Sequence, residues 1–237
     1  MKLLSKLALA SILSLTIPAF IVTDAIARGE KGGDNKINNQ TNSSTSLDAI
    51  EASHLTYMRE KEKLARDVYL TFAKWYPDQK VFANIATKSE QAHTDTMRDK
   101  LAQYNIDDPN PDTNNLPESL GVFSKDSEWG WYFDGKFKTL TAQGSASELE
   151  ALKVGAFIEE LDMHDIADCP QVMVENGYDA PCGLNYTKEI GLINAYNFLI
   201  DGSERHLRAY VGQIDATGKP YEPQVLTQDE FDAILGR

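Results

Sequence analysis

Five residues carry the chemistry that this sequence can do: Glu62, Glu90, His93, Glu159 and His206. Each stands where an apolar stripe calls for a hydrophobic side chain, near the middle of that stripe. Taking a carboxylate out of water costs several kcal/mol, even after relaxation, unless a positive partner compensates it. Three acids converging in one core repel one another unless they are protonated, paired with arginine or bound to cations. Glu90 and His93 are three residues apart, one turn along one helix face. That is the spacing with which paired carboxylate and imidazole ligands are presented in dinuclear bundles. Such mixed donors suit iron, manganese or zinc and exclude a soft thiolate site. Asp162, one turn beyond Glu159, is a spare ligand, and Asp165 a weaker one. Bland alternatives exist for single residues: Glu62 can pair with Arg66 at i+4, and His206 can be a hydrogen-bonded core histidine. A lone Glu-x-x-His is common by chance, so the case rests on coincidence, all four stripes carrying a ligand-type residue. His54 lies off the first stripe and is expected in solvent. His164 is offset from the face of Glu159 and is expected at the surface or just outside the site.

These residues need elements to position them, and the periodicity predicts helix throughout. A first helix over about 47–75, stopped by Pro77, presents Leu55, Met58, Glu62, Ala65, Tyr69 and Phe72. A second over about 81–104 presents Phe82, Ala86, Glu90, His93 and Met97, and an Asn- and Pro-rich loop ends it. A third begins at Ser147, where Ser147-x-x-Glu150 has the form of a capping box, and presents Leu152, Ala156, Glu159, Met163 and Ile166. A fourth over about 187–214 presents Leu192, Tyr196, Leu199, Ser203, His206 and Tyr210. Gly202 inside it costs about 1 kcal/mol relative to Ala and points to close packing or a kink. The expected fold is all-α, a four-helix bundle with a long crossover between helices 2 and 3, the connection that ferritin-like bundles use. The crossover holds a short helix near 135–142 and the aromatics Phe123, Trp129, Trp131, Tyr132 and Phe133. These are expected to cap the bundle rather than to bind a sugar. Thr227-x-x-Glu230 predicts a short C-terminal helix.

Composition bounds the rest. The chain has 237 residues, 23 Lys and Arg against 36 Asp and Glu, a net charge of −13 and two cysteines. That acidity excludes a nucleic-acid groove or an anionic membrane surface as partner, since both demand clustered cations. Lys2 and Lys6, the apolar run to Val22 and Ala25-Ile-Ala27 read as a Sec-type signal peptide over 1–27. The Gly-, Asn- and Ser-rich stretch 28–46 reads as a flexible linker, leaving 47–237 as the bundle domain with its C-terminal extension. The chain is therefore expected to be exported, to the periplasm or beyond, with no membrane attachment after cleavage. An oxidising compartment predicts that Cys169 and Cys182 pair, closing a short loop worth about 3 kcal/mol.

The motifs around these ligands resemble the ferritin-like family catalogued as domain of unknown function 2202. The resemblance runs through Met58-Arg-Glu-Lys-Glu-Lys-Leu-Ala-Arg-Asp-Val-Tyr69, Asn84-Ile-Ala and Ser89-Glu-Gln-Ala-His93. It continues in Ala142-Gln-Gly-Ser-Ala, Ala151-Leu-Lys-Val-Gly-Ala and Ile158-Glu-Glu-Leu-Asp162. Gly202-Ser-Glu-Arg-His-Leu-Arg-Ala-Tyr210 and Tyr221-Glu-Pro-Gln complete it. It implies a ferritin-like fold with a dinuclear metal centre held by Glu62, Glu90, His93, Glu159 and His206. The expected cofactor is iron, as two ions or one, with manganese the alternative, and the expected partner is a small oxidant, O2 or peroxide. One departure matters: the general di-iron pattern has Glu three residues before the last histidine, and here that residue is Ser203. Glu204 points about 100° away in an ideal helix, so Asp162 is the better substitute. Two functions are therefore expected candidates: an exported di-iron oxidase or ferroxidase, and a non-catalytic helical module that binds or buffers metal or is purely structural.

Overall fold

The computed structural model describes residues 46–237. The expected signal peptide, and the expected linker apart from Ser46, lie outside the described residues. Among the described residues the chain is helical with no strand, as an all-α protein requires. Helix α1 (Ala49–Trp75) starts at a capping box that the periodicity alone did not mark. Asp48 accepts from the Glu51 amide at 2.9 Å and the Glu51 carboxylate accepts from the Asp48 amide at 3.2 Å. The second stretch is not one uninterrupted helix. Helix α2 (Lys80–Asn84) passes through a π-helical turn (Ile85–Glu90) into α3 (Gln91–Gln103). A π-turn fits an extra residue into the helix and re-phases the face that follows, and Glu90 closes this turn.

Helix α4 (Gly130–Gly144) is longer than the crossover helix expected from the pattern. Its last residue must be glycine, because a Cβ there would lie 2.2 Å from the Phe72 ring. Ser147 caps α5 (Glu148–Ala167) by accepting from the Glu150 amide, although Glu150 turns to Lys153 instead of completing the box. The short helix α6 (Gln171–Glu175) lies inside the loop that the Cys169–Cys182 disulfide closes, and α7 (Gly183–Tyr186) follows it directly. Helix α8 (Ile190–Ala216) follows, and a complete Thr227/Glu230 capping box starts α9 (Gln228–Leu235). No helix among the described residues is long and apolar enough to cross a membrane.

Helix α1 packs on the π-turn and α3, and α5 packs along α8. Contacts of α1 with α5 and of α3 with α8 close the arrangement around a single core, while α4 lies across α1 and α5. Leu55, Met58, Phe72, Phe82, Met97, Leu152, Leu199 and Tyr210 fill that core. The sequence pattern gives α1 one apolar stripe, yet every residue from Tyr57 to Tyr69 is buried. Its outer, charged face is covered by the crossover. Arg59 donates to both oxygens of Asp108, at 3.0 and 2.8 Å, and to the Thr113 hydroxyl. Lys63 pairs with Asp67 and donates to the Ser119 carbonyl. Asp67 also takes Arg66, at 2.7 and 3.0 Å, and the Gly121 amide.

Two further residues belong to the interior. Trp129 is 1% exposed, its ring edge-on to Tyr57 and its N–H donating to Ser53, so it is core; Trp131 is the exposed one. Glu160, which shares the α5 motif with Glu159, is also buried. It accepts from the Tyr221 hydroxyl and from the amides of Gln224, Val225 and Leu226, and so fastens the C-terminal segment onto α5.

Candidate metal centre

Glu62 comes from α1, Glu90 from the end of the π-turn, His93 from the first turn of α3, Glu159 from α5 and His206 from α8. All five are buried. The structure brings them together as two triads, Glu62–Glu90–His93 and Glu90–Glu159–His206, whose donor atoms lie within 4.8 Å of one another in each. Glu90 belongs to both. His93 Nδ1 is 3.1 Å from Glu62 Oε2 and 3.5 Å from Glu90 Oε2. His206 Nδ1 is 2.9 Å from Glu90 Oε1 and 3.2 Å from Glu159 Oε2. The two oxygens of Glu90 thus face two imidazoles, one on each side. The rings of His93 and His206 lie 5.5 Å apart.

Close packing is needed to put them there. A Cβ on Gly202 would sit 2.3 Å from His93 Nε2, so the glycine in α8 is the space that the imidazole occupies. Phe198 packs edge-on against the same ring at 5.3 Å. On the other side the Tyr69 hydroxyl donates to Glu159 Oε1 at 2.6 Å and fixes that carboxylate. A Cβ on Gly155 would meet Tyr210, whose ring lies 5.2 Å from that of Tyr69.

The charges do not settle by themselves. Burial pushes the Glu62 carboxyl well above its ordinary range, and the charges of Asp162 and Glu90 add to this against relief from His93. Burial raises Glu159 to about 7, partly offset by His206. Burial opposes the charge on His206, but Glu159 and Glu90 outweigh it and lift the imidazole to about 10. Burial opposes His93 likewise, and Glu90 and Glu62 raise it well above 6.5. Glu90 goes the other way: burial works against its charge, yet the two imidazoliums hold it well below the carboxylate range. Protons are doing here what cations would do. Even so, Glu62 Oε1, His93 Nε2, Asp162 Oδ1 and Tyr210 OH are buried with no hydrogen-bond partner. Orphaned polar atoms of this kind are costly. The donor set, carboxylate oxygens with imidazole nitrogens, fits a hard or borderline divalent cation.

A family model described as "Uncharacterized protein domain (DUF2202)" matches residues 51–237, a span that contains every candidate ligand and the disulfide. The chain belongs to the DUF2202 family. Uncharacterized protein MJ0754 of Methanocaldococcus jannaschii is 38% identical over 186 residues, covering 78% of this chain and 86% of that relative. A crystal structure titled as hypothetical protein MJ0754 from Methanococcus jannaschii superposes with a TM-score of 0.66 at 35% identity, covering 81% of this chain and 95% of the other.

In this DUF2202 chain the remaining sequence candidates fall outside the triads. Asp162 is buried nearby, but its Oδ2 accepts from the Ser203 hydroxyl at 2.6 Å and its Oδ1 lies 3.9 Å from the Lys61 ammonium. Ser203, the residue that replaces the expected acid, therefore tethers the spare one. Glu204 does not substitute; it lies partly exposed and pairs with Arg208. Asp165 is engaged by Lys61, Tyr57 and His164 and is not a ligand of the cluster. His164 sits at the surface, as expected. His54 does not: it is buried, with Nδ1 2.9 Å from the Tyr196 hydroxyl and Nε2 2.8 Å from the Asp165 carbonyl. Glu62 does not pair with Arg66 either, because Arg66 is taken by Asp67, Gln91 and the Thr113 carbonyl. Sequence reasoning missed Lys61 and gave Tyr69 no role beyond core packing. Tyr69 lies on the inward stripe, so its phenol was findable; Lys61 carries no such signal.

Proposed function

We propose that this protein is a ferritin-like four-helix bundle that holds a dinuclear non-haem metal centre, with iron the favoured metal and manganese the alternative. The observation that carries the reading is the pair of buried triads sharing Glu90. Four acids, Glu62, Glu90, Glu159 and Asp162, balance two divalent cations when both imidazoles are neutral. Glu62 with His93, and Glu159 with His206, would each hold one ion, and Glu90 would bridge them. Two such iron ions would supply the electrons that reduce O2 or peroxide, each Fe(II) becoming Fe(III) as it gives one up. The chain's own part is to hold the ligands apart from water. Tyr69 fixes Glu159, Gly202 and Phe198 seat His93, and the apolar core around them keeps the local dielectric low, which strengthens each charge interaction. His93 and His206 must release their protons for Nδ1 to become a donor, so binding is coupled to proton release. The acidic surface would draw cations toward the bundle. The leader-like residues 1–27 and the Cys169–Cys182 bond together support export to an oxidising compartment.

Anaerobic reconstitution with Fe(II), desalting and metal analysis test this. About two Fe per chain and O2 uptake faster than that of free Fe(II) are expected. Retention of no iron would reject the centre. A second reading, metal binding or buffering without turnover, is favoured by one observation: a hydroxyl, Ser203, stands where a further carboxylate is expected. Tight binding with O2 uptake no faster than that of free Fe(II) would select it.

A further inference from the structure

The shell around the cluster is uneven. Helix α1 lies under the crossover, and α4 runs across α1 and α5. Over His93 the cover on the α8 side is one side chain thick. Phe198 is 42% exposed, yet its ring meets that of His93 edge-on at 5.3 Å. His93 is itself fully buried, with Nδ1 turned to Glu62 and Glu90. A single half-exposed ring therefore stands between solvent and a member of the Glu62–Glu90–His93 triad.

Spacing on α8 explains the thin place. Phe198, Gly202 and His206 follow one another at intervals of four, so they share one face of the helix. Gly202 contributes no side chain, and its place is filled by the His93 ring, whose Nε2 has no hydrogen-bond partner. His206, one turn further, is 5% exposed and is the most accessible of the five candidate ligands. The two imidazoles lie 5.5 Å apart, and Glu90 turns one oxygen to each. The face that begins at Phe198 thus leads to the carboxylate that both triads share. Rotation of an exposed side chain is a local motion and a fast one.

We propose that Phe198 is the gate of the cluster. Its ring lies against His93 and closes the α8 face. Turned into solvent, it uncovers the edge of the His93 ring and admits divalent cations and small oxidants, while bulky reactants stay out. This rests on the dinuclear reading above and adds the route by which the centre is filled, with the residue that controls it.

Stopped-flow mixing of the metal-free full chain with Co(II), followed by the absorbance of the bound ion, tests the proposal. Co(II) suits the same carboxylate and imidazole donors. Phe198→Ala is expected to speed uptake by about tenfold, and Phe198→Trp to slow it by about tenfold. Loss of a mere support for His93 would weaken binding without hastening entry, so faster uptake separates the two roles. Should Phe198→Ala fail to fold, Phe198→Leu takes its place. A second measurement needs no metal: diethyl pyrocarbonate labelling of the metal-free chain, read by peptide mass spectrometry. His93 should be modified about tenfold faster in Phe198→Ala and more slowly in Phe198→Trp, with surface His164 changing by less than about twofold. Co(II) uptake that ignores the size of residue 198 would overturn the inference and leave the dinuclear reading intact. If no Co(II) binds, the dinuclear reading falls and the labelling decides whether Phe198 governs access to His93. Rates that follow the size of residue 198 would uphold the gate, and equal rates would overturn it.

Discussion

Helix α1 carries charge into the interior on two faces, and they are built on opposite principles. On the outer face Arg59, Lys63 and Arg66 meet Asp108 and Asp67 within hydrogen-bond reach, and the crossover supplies carbonyls and hydroxyls for the remaining donors. On the inner face Glu62 joins Glu90, Glu159 and Asp162, and among the described residues the counter-charges are two imidazoles that must be protonated to serve and a lysine already bound to Asp165. Paired charges hold a loop in place and need nothing from outside. A surplus of buried acid is stable only if something positive arrives. Burial alone therefore does not mark a functional charge; the imbalance does.

The largest test of this contrast removes a partner from the balanced face. Asp67→Ala would strand Lys63 and Arg66 in the interior, and a broken buried pair costs about 3–5 kcal/mol. The loss should appear in denaturant unfolding and be the same with or without Mn(II). A smaller loss that Mn(II) repairs would put Asp67 on the wrong side of the comparison.

The unbalanced face should respond to pH. Glu159 rises from an ordinary 4.5 to about 7, and His206 from 6.5 to about 10. A raised folded-state pKa gives stability that is present below the unfolded value and lost as pH climbs through the folded one. The metal-free protein should therefore lose stability between about pH 5 and 10, by roughly 5–10 °C in melting temperature. Glu90, held low, contributes in the opposite sense and only in acid. Mn(II)-loaded protein should lack the alkaline decline, because cations replace the protons. Parallel melting curves for the two forms over that range would break the account.

A smaller effect is expected at Gly202. Alanine there must displace the His93 ring, a clash worth about 1–3 kcal/mol. Mn(II) affinity should fall by at least about tenfold, since the ligand moves with it. Unchanged affinity would mean that His93 is not a donor.

Much of this was legible in the residues. The long helices α1, α5 and α8, the capping residues Ser147 and Thr227, the disulfide and the five triad residues follow from spacing and residue type, because each is a local pattern or a violation of one. What was not legible depends on partners far away in the chain. Arg59 reads as a solvated residue until Asp108, some 50 residues on, folds over it. His54 reads as exposed because its partners, Tyr196 and the Asp165 carbonyl, belong to other helices. The π-turn before Glu90 leaves no mark in a 3.6-residue pattern, since Ile85–Glu90 contains ordinary helix formers. Glu160 looks like any surface acid beside Glu159, and only the returning amides of residues 224–226 bury it.

The most direct test of the central claim is the melting temperature of Glu62→Gln beside wild type at pH 8, each with and without Mn(II). Glutamine keeps the shape and removes the surplus charge. The account predicts that the metal-free variant melts at or above the metal-free wild type, and that Mn(II) raises the variant by clearly less. A variant that melts several degrees lower without metal, together with a wild type that Mn(II) does not stabilise, would contradict it.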